Sequence, residues 1–198
     1  MDINNENNPE NMKVSDAQVD YNKLYTYSDY AQWDDDNRWE LIDGVPYMMS
    51  SPGFRHQEIL GNLFHQLYEH LKDKSCKAYV APLDVRLNAD THDDTVVQPD
   101  LIIICDRSVI DKAGIKGVPE MVVEVLSPST SRYDRTLKFN TYLNAGIREY
   151  WIVEPTDKTL AVNILENDNY ILHAYTDEDT APVHVLEGCI INLSEVFA

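Results

Sequence analysis

The most regular pattern along the chain is helical. From Phe54 to Lys74 the apolar residues Ile59, Leu60, Leu63, Phe64, Leu67 and Leu71 recur every three or four positions, which places them on one face of an amphipathic helix. Before it, Arg38 to Ile42 and Val45 to Met49 flank Asp43-Gly44, a pair suited to the tight turn of a β-hairpin. Ser28 would cap a short helix over Tyr27 to Trp33. After the long helix, Ala78 to Leu87 reads as a strand. Val96 to Cys105 and Glu120 to Leu126 are Val- and Ile-rich runs of the kind buried on both faces of a sheet. Ser108 to Gly117, between them, reads as a loop or short helix. Ser127-Pro128-Ser129-Thr130-Ser131 breaks the chain ahead of a second helix, Arg132 to Asn144, which Gly146 stops. Glu149 to Val153 is a further strand, Leu160 to Leu165 and Tyr170 to Tyr175 form a hairpin across Asn167-Asp168-Asn169, and Val183 to Phe197 holds one more short strand. This order predicts an α/β (α+β) fold: a central mixed β-sheet with flanking helices and an N-terminal β-hairpin. The polar, acidic residues 1–22 predict a mobile tail, and residues 23–198 a single domain.

Two acids interrupt the apolar pattern. Asp100 opens the run Leu101 to Ile104, and Glu124 stands inside the run Met121 to Leu126. A carboxylate in a low-dielectric core neutralises itself or finds a cation. Two of them on neighbouring strands, near the sheet edge, would hold a hard divalent ion such as Mg²⁺ or Mn²⁺, with the backbone carbonyl of Val125 as another oxygen ligand. Lys138, on the following helix, could position an attacking water or neutralise charge developing on a phosphorane. Plainer readings stand beside these. Asp100 could be a strand-start turn residue, and Glu124 could pair structurally with Arg86 or Arg135. Lys138 follows Asp134 by four residues, the spacing of an ordinary surface pair. Glu40 could be an exposed hairpin residue, Asp84 could face cleft or solvent, and His56 could belong to the start of the long helix. Trp151 and Tyr150 read as sheet packing. No H-E-x-x-H spacing, G-x-S-x-G elbow or glycine-rich phosphate loop is present.

Charge narrows the partners. The net charge is −18, from 34 acidic and 16 basic residues, which excludes indiscriminate nucleic-acid binding. Asp34-Asp35-Asp36, Asp90 to Asp94 and Asp177 to Asp179 are acidic clusters in expected loops. Arg132, Arg135, Lys138 and Arg148 make the stretch by which a polyanion would approach. Three scattered cysteines, Cys76, Cys105 and Cys189, argue against a disulfide framework and a structural zinc site, and for a reducing compartment. No segment approaches the roughly 20 apolar residues that span a bilayer. The N-terminus has no apolar h-region, so the cytoplasm is the expected location.

Five blocks in order carry a family resemblance: Arg38-Trp39-Glu40-Leu41-Ile42-Asp43-Gly44, Ala81-Pro82-Leu83-Asp84-Val85-Arg86-Leu87, Val97-Gln98-Pro99-Asp100-Leu101, Val122-Val123-Glu124-Val125-Leu126-Ser127-Pro128-Ser129-Thr130 and Arg148-Glu149-Tyr150-Trp151-Ile152-Val153. Together they resemble the Uma-type restriction endonuclease family of the PD-(D/E)XK nuclease superfamily, from about Tyr25 to the C-terminus. The resemblance implies a restriction-endonuclease-like fold, Mg²⁺-dependent cleavage of DNA, and a homodimer. It implies Asp100 and Glu124 as metal ligands and Glu40 as an added acid near the site, and Asp84, His56 and Gln98 are further candidates. The chain departs from the superfamily pattern where a lysine is expected two residues after Glu124. Leu126 stands there, and Lys138 would have to reach the same space. If it does not, the fold would serve as a non-cleaving module for binding or assembly.

Overall fold

A computed structural model describes residues 19–34, 36–127 and 133–198. Most of the expected tail, Asp35 of the first acidic cluster and the break segment from Pro128 through Arg132 lie outside the described residues. At the end of that tail stretch Val19 is buried, packed with Tyr25, Trp39, Leu41 and Val96.

The short helix α1 covers Tyr27–Tyr30. Its cap is Thr26 rather than Ser28, with the Asp29 carboxylate accepting from the Thr26 N–H at 2.9 Å. The hairpin β1 (Arg38–Ile42) and β2 (Val45–Met49) turns at Asp43 and Gly44, whose φ angles of 51° and 76° are those a two-residue hairpin turn requires. The long helix α2 runs Phe54–Leu71, with Ile59, Leu60, Leu63, Leu67 and Leu71 buried on one face.

The two long strands expected next are each broken in two. Ala78 to Leu87 divides into β3 (Lys77–Val80) and β4 (Val85–Arg86), and Val96 to Cys105 into β5 (Val96–Val97) and β6 (Leu101–Ile104). Pro82 and Pro99 sit at the two breaks, where a residue without an N–H cannot continue a central ladder. The expected loop after β6 carries a tight turn and a small hairpin, β7 (Ile110–Asp111) with β8 (Gly114–Lys116). Then come β9 (Met121–Val125), a wide π-helical turn over Asp134–Lys138 leading into α3 (Phe139–Ala145), and β10 (Glu149–Glu154). The chain closes with the hairpin β11 (Thr159–Glu166) and β12 (Asn169–Thr176), the pair β13 (Thr180–Pro182) and β14 (Ile190–Asn192), and a last turn of helix, α4 (Leu193–Val196).

The fold is mixed α/β, with two six-stranded sheets where one central sheet was expected. One has the order β12-β11-β10-β9-β6-β3 and the other β2-β1-β5-β4-β8-β7. The breaks at Pro82 and Pro99 let the chain cross from one sheet to the other. On one face of the first sheet, Leu101, Ile103, Val123, Val125, Trp151 and Val153 pack against α2 and the C-terminal elements. On the other face, Ile102, Ile104, Val122, Tyr150 and Ile152 pack with Val85, Val97 and Ile115 of the second sheet and with Tyr142 of α3. Tyr150 and Trp151 are fully buried.

The cysteines correct an expectation. Lys77 stands opposite Ile104 in the β3–β6 ladder, so the next pair outward is Cys76 and Cys105, which form a disulfide. Spacing along the chain could not show this, because the sheet register joins residues 29 apart. The argument for a reducing compartment loses its basis. Cys189 is a buried free thiol, its pKa pushed up to about 11 by burial. Among the described residues no helix is long and apolar enough to cross a membrane.

Candidate active site

The register of the first sheet decides where the two acids meet. Leu101 pairs with Val123 across the antiparallel β6–β9 ladder. One step further out, Asp100 and Glu124 come to the same end of adjacent strands, where directly opposed side chains share a face. Both line a cavity of ≈ 280 Å³, with Arg38, Glu40, Tyr47, Met48, His56, Ser127, Tyr133, Asp134 and Lys138 among its walls.

Asp100 is anchored from two sides. Its Oδ2 accepts the Val125 backbone N–H at 2.8 Å and lies 3.0 Å from His56 Nε2 at the start of α2. His56 therefore faces the cleft and holds a carboxylate, whereas the helix-start reading gave it no partner.

Glu124 and Glu40 share one ammonium. Lys138 Nζ lies 2.8 Å from Glu124 Oε1, 3.0 Å from Glu40 Oε1 and 3.8 Å from Asp134 Oδ1. All four side chains are buried, with Lys138 only 2% exposed. The surface-pair reading of Lys138 and the exposed-strand reading of Glu40 are thus overturned. Glu124 does not pair with Arg86 or Arg135, which bind Asp93 and Glu154 instead. Of the basic residues expected to meet a polyanion, Lys138 is buried among carboxylates, Arg135 is exposed and paired with Glu154, and Arg148 is exposed, while Arg132 lies outside the described residues.

Local structure explains how Lys138 gets there. The π-helical turn is wider than an α-helical one, and both Asp134 and Lys138 are buried within it. Tyr150 OH donates to the Asp134 carbonyl at 3.0 Å, which satisfies a backbone oxygen in this irregular turn. Leu126, in the place of the expected lysine, points instead into the apolar layer between the sheets. Lys138 brings its charge to Glu124 from the neighbouring helical segment.

Two tyrosines complete the knot, and sequence reasoning passed over both. Tyr142 OH donates to Glu124 Oε1 at 2.7 Å, and Tyr133 OH to Glu40 Oε2 at 3.0 Å. Tyr142 follows Lys138 by four residues on a helix, and that same-face spacing was the available signal. Burial pushes the Glu124 carboxyl well above its usual range, with Lys138 opposing and Asp100, Asp134 and Glu40 adding to the rise. Burial disfavours the Lys138 charge, but Glu124, Glu40 and Asp134 outweigh it and hold the ammonium protonated.

Gln98 and Asp84 lie one step behind. The Gln98 backbone N–H donates to Glu40 Oε1 at 2.7 Å, and its side-chain Nε2 donates to Asp84 Oδ1 at 2.8 Å. Tyr30 OH also donates to Asp84 Oδ1, and Arg38 donates twice to Gln98 Oε1. Asp84 does not line the cavity.

The donor set offers two open carboxylate oxygens to a divalent ion. The hydrogen bonds of Asp100 and Glu124 fall on Oδ2 and Oε1, which leaves Asp100 Oδ1 and Glu124 Oε2 without a hydrogen bond among the described residues. Among those residues no three His, Cys, Asp or Glu side chains form a ready cage. Two carboxylates on a cavity with room for several waters fit Mg²⁺ better than an ion that needs a full protein cage.

A restriction-endonuclease-like α/β fold, with an Asp and a Glu at adjacent strand ends and a lysine against the Glu, defines the class. The chain belongs to the Uma2 family, described as "Putative restriction endonuclease", which matches residues 27–194. An uncharacterized protein of Synechocystis sp., slr1290, is 32% identical over 131 residues, covering 65% of this chain and 67% of its own length. The crystal structure of a "putative nuclease belonging to DUF820" from Anabaena variabilis matches with a TM-score of 0.70 at 17% identity, covering 87% of this chain and 97% of that one. At that identity the likeness bears on the fold.

Proposed function

We propose that the chain is a divalent-metal-dependent endonuclease that hydrolyses DNA phosphodiester bonds. The observation that carries this reading is the pair of carboxylate oxygens, one on Asp100 and one on Glu124, left without hydrogen bonds among the described residues beside one cavity. Asp100 and Glu124 would hold Mg²⁺ or Mn²⁺, with the Val125 carbonyl as a further oxygen. Such an ion, when bound, polarises a phosphodiester and lowers the pKa of a water.

The chain's own residues supply the rest. Glu40, Asp100, Glu124 and Asp134 outnumber Arg38 and Lys138 in the cavity wall, so its charge repels a phosphate until a cation offsets it. His56 and the Val125 N–H fix the Asp100 carboxylate. Glu40 fixes Lys138, and Lys138 holds the Glu124 headgroup and places a positive charge where a phosphorane would develop its own negative charge.

To test this reading, purified protein is incubated with plasmid DNA and Mg²⁺ beside the Asp100→Asn variant. The wild type is expected to cut, chelation to stop it, and the variant to be at least about 100-fold slower. Equal cutting by both proteins, or by neither, counts against the proposal.

One observation favours a second reading, a nuclease fold kept for binding without cleavage: Lys138 is already engaged by Glu40 and Glu124. Mn²⁺ titration by calorimetry separates the two. Metal binding that weakens about tenfold or more in Glu124→Gln supports the enzyme, and a chain indifferent to metal supports the module.

A further inference from the structure

One aromatic ring stands bare beside the candidate active site. Phe54, at the start of α2, is 81% exposed, more than any other large apolar side chain among the described residues. It comes two residues before His56, whose Nε2 lies 3.0 Å from the Asp100 carboxylate. Ile59, Leu60 and Leu63 bury the same helix in the core, so the ring is carried on a rigid element beside the two metal-ligand candidates. A second groove, walled by Phe54, Arg55, Leu126, Pro155 and Asp157, shares His56 and Ser127 with the cavity, which makes the two a continuous trough. Met48, 62% exposed, adds another bare apolar side chain to the cavity wall.

The cations of these walls are already engaged. Arg38 donates twice to Gln98, and Arg55 donates to the carbonyls of Phe197 and Ala198. His56 faces Asp100, and Lys138 is held by Glu40 and Glu124. Glu40, Asp100, Glu124 and Asp134 line the cavity, and Glu154 and Asp157 line the groove, so a phosphate backbone meets net repulsion along the trough. A metal ion at Asp100 and Glu124 offsets this at a single phosphate. A duplex turns its phosphates toward such a surface and keeps the faces of its bases stacked inside. A single strand offers flat, uncharged base faces, and one base stacked on an aromatic ring strengthens binding about tenfold or more.

We propose that Phe54 is a stacking platform for an unpaired base next to the scissile phosphate, and that the chain acts on single-stranded DNA in preference to duplex. The proposal rests on the nuclease reading for its ligand and names the form of DNA that the same site takes. Stacking, rather than charge, supplies the grip. Salt screens the repulsion between the acids and the backbone, so binding holds or strengthens as salt rises, the reverse of a protein that grips DNA through lysine and arginine. A supercoiled plasmid is cut through the segments that melt.

The test is fluorescence anisotropy with a labelled thymidine oligonucleotide in chelator, where no metal-dependent cutting interferes, at about 0.1 M and about 0.5 M salt. The comparison ligands are the same strand paired with its complement and a base-free deoxyribose-phosphate chain of equal length. Wild type is expected to bind the single strand at least about tenfold tighter than either, and no more weakly at the higher salt. Phe54→Ala is expected to lose about tenfold in affinity for the strand, Phe54→Trp to keep it, and Tyr68→Ala, an exposed ring further along α2, to match wild type. The exposure of Phe54 leaves the core undisturbed, and unaltered far-UV circular dichroism confirms folding. A wild type with no preference for the single strand, or a Phe54→Ala protein that binds it as tightly as wild type, overturns the proposal. The two readings fail separately. Phe54-dependent binding by a chain that does not cut with Mg²⁺ supports the platform and removes only the nuclease reading, whereas cutting with Mg²⁺ and no effect of Phe54 removes only the platform.

Discussion

Two polar clusters adjoin in this molecule, one half-buried and one buried, linked through Gln98, and they solve the same problem differently. In one, Asp84 is satisfied by the hydroxyl of Tyr30 and the amide of Gln98, and burial raises its carboxyl above the usual range. In the other, Glu124 and Glu40 are held by the ammonium of Lys138 and by two tyrosines. Burial raises the carboxyl in both clusters, for Glu124 well above its usual range with Lys138 opposing the rise. What separates the second is a buried ammonium among its acids and a wall that opens on a cavity. Under the proposed function the second cluster is the reactive one and the first its brace.

The strongest way to break that contrast is Lys138→Met. Three buried carboxylates would lose their common cation, and the loss of one partner of a buried pair costs about 3–5 kcal/mol. Urea denaturation at neutral pH should show a loss of that size together with loss of any cleavage. Tyr142→Phe is gentler. It removes a 2.7 Å hydrogen bond to Glu124 and should cost about 1.5–3 kcal/mol by the same measurement, the range for bonds to charged groups.

Asp84→Asn sharpens the comparison from the other side, with the smallest expected effect. The folded pKa of Asp84 lies above its unfolded value near 3.8, so the native state binds more protons between the two values. Stability contributed by this group therefore falls as pH rises through that window. The variant lacks this penalty. Relative to wild type it should be more stable near about pH 7 than near about pH 3 in thermal melts, and its cleavage rate should stay within about twofold. An Asp84→Asn protein as inactive as Asp100→Asn would erase the distinction between brace and site.

How much of this was legible depends on the range of each signal. Asp100 and Glu124 stood out because acids inside Val- and Ile-rich runs violate the local pattern. The hairpin at Asp43-Gly44 and the helix through Leu63 and Leu67 were legible for the same local reason. The division into two sheets was half legible: Pro82 and Pro99 interrupt the expected strands, but nothing nearby says that the pieces belong to different sheets. Lys138 was visible as a candidate, yet its spacing from Asp134 fitted a surface pair equally well. Tyr133 gave no signal distinct from ordinary apolar packing, and Tyr142 only its four-residue spacing from Lys138. The disulfide was misread because Cys76 and Cys105 are neighbours only through the β3–β6 register.

The amino-acid order alone determined the long helix, the hairpin at Asp43-Gly44 and which acids are out of place, since periodicity and composition act over a few residues. Tertiary structure decided that Glu40, Glu124 and Asp134 converge on one lysine, that Asp100 turns toward His56, and that β12 lies at an edge. Those outcomes follow from ladder register and from a widened helical turn, and both are fixed only when distant segments pack together.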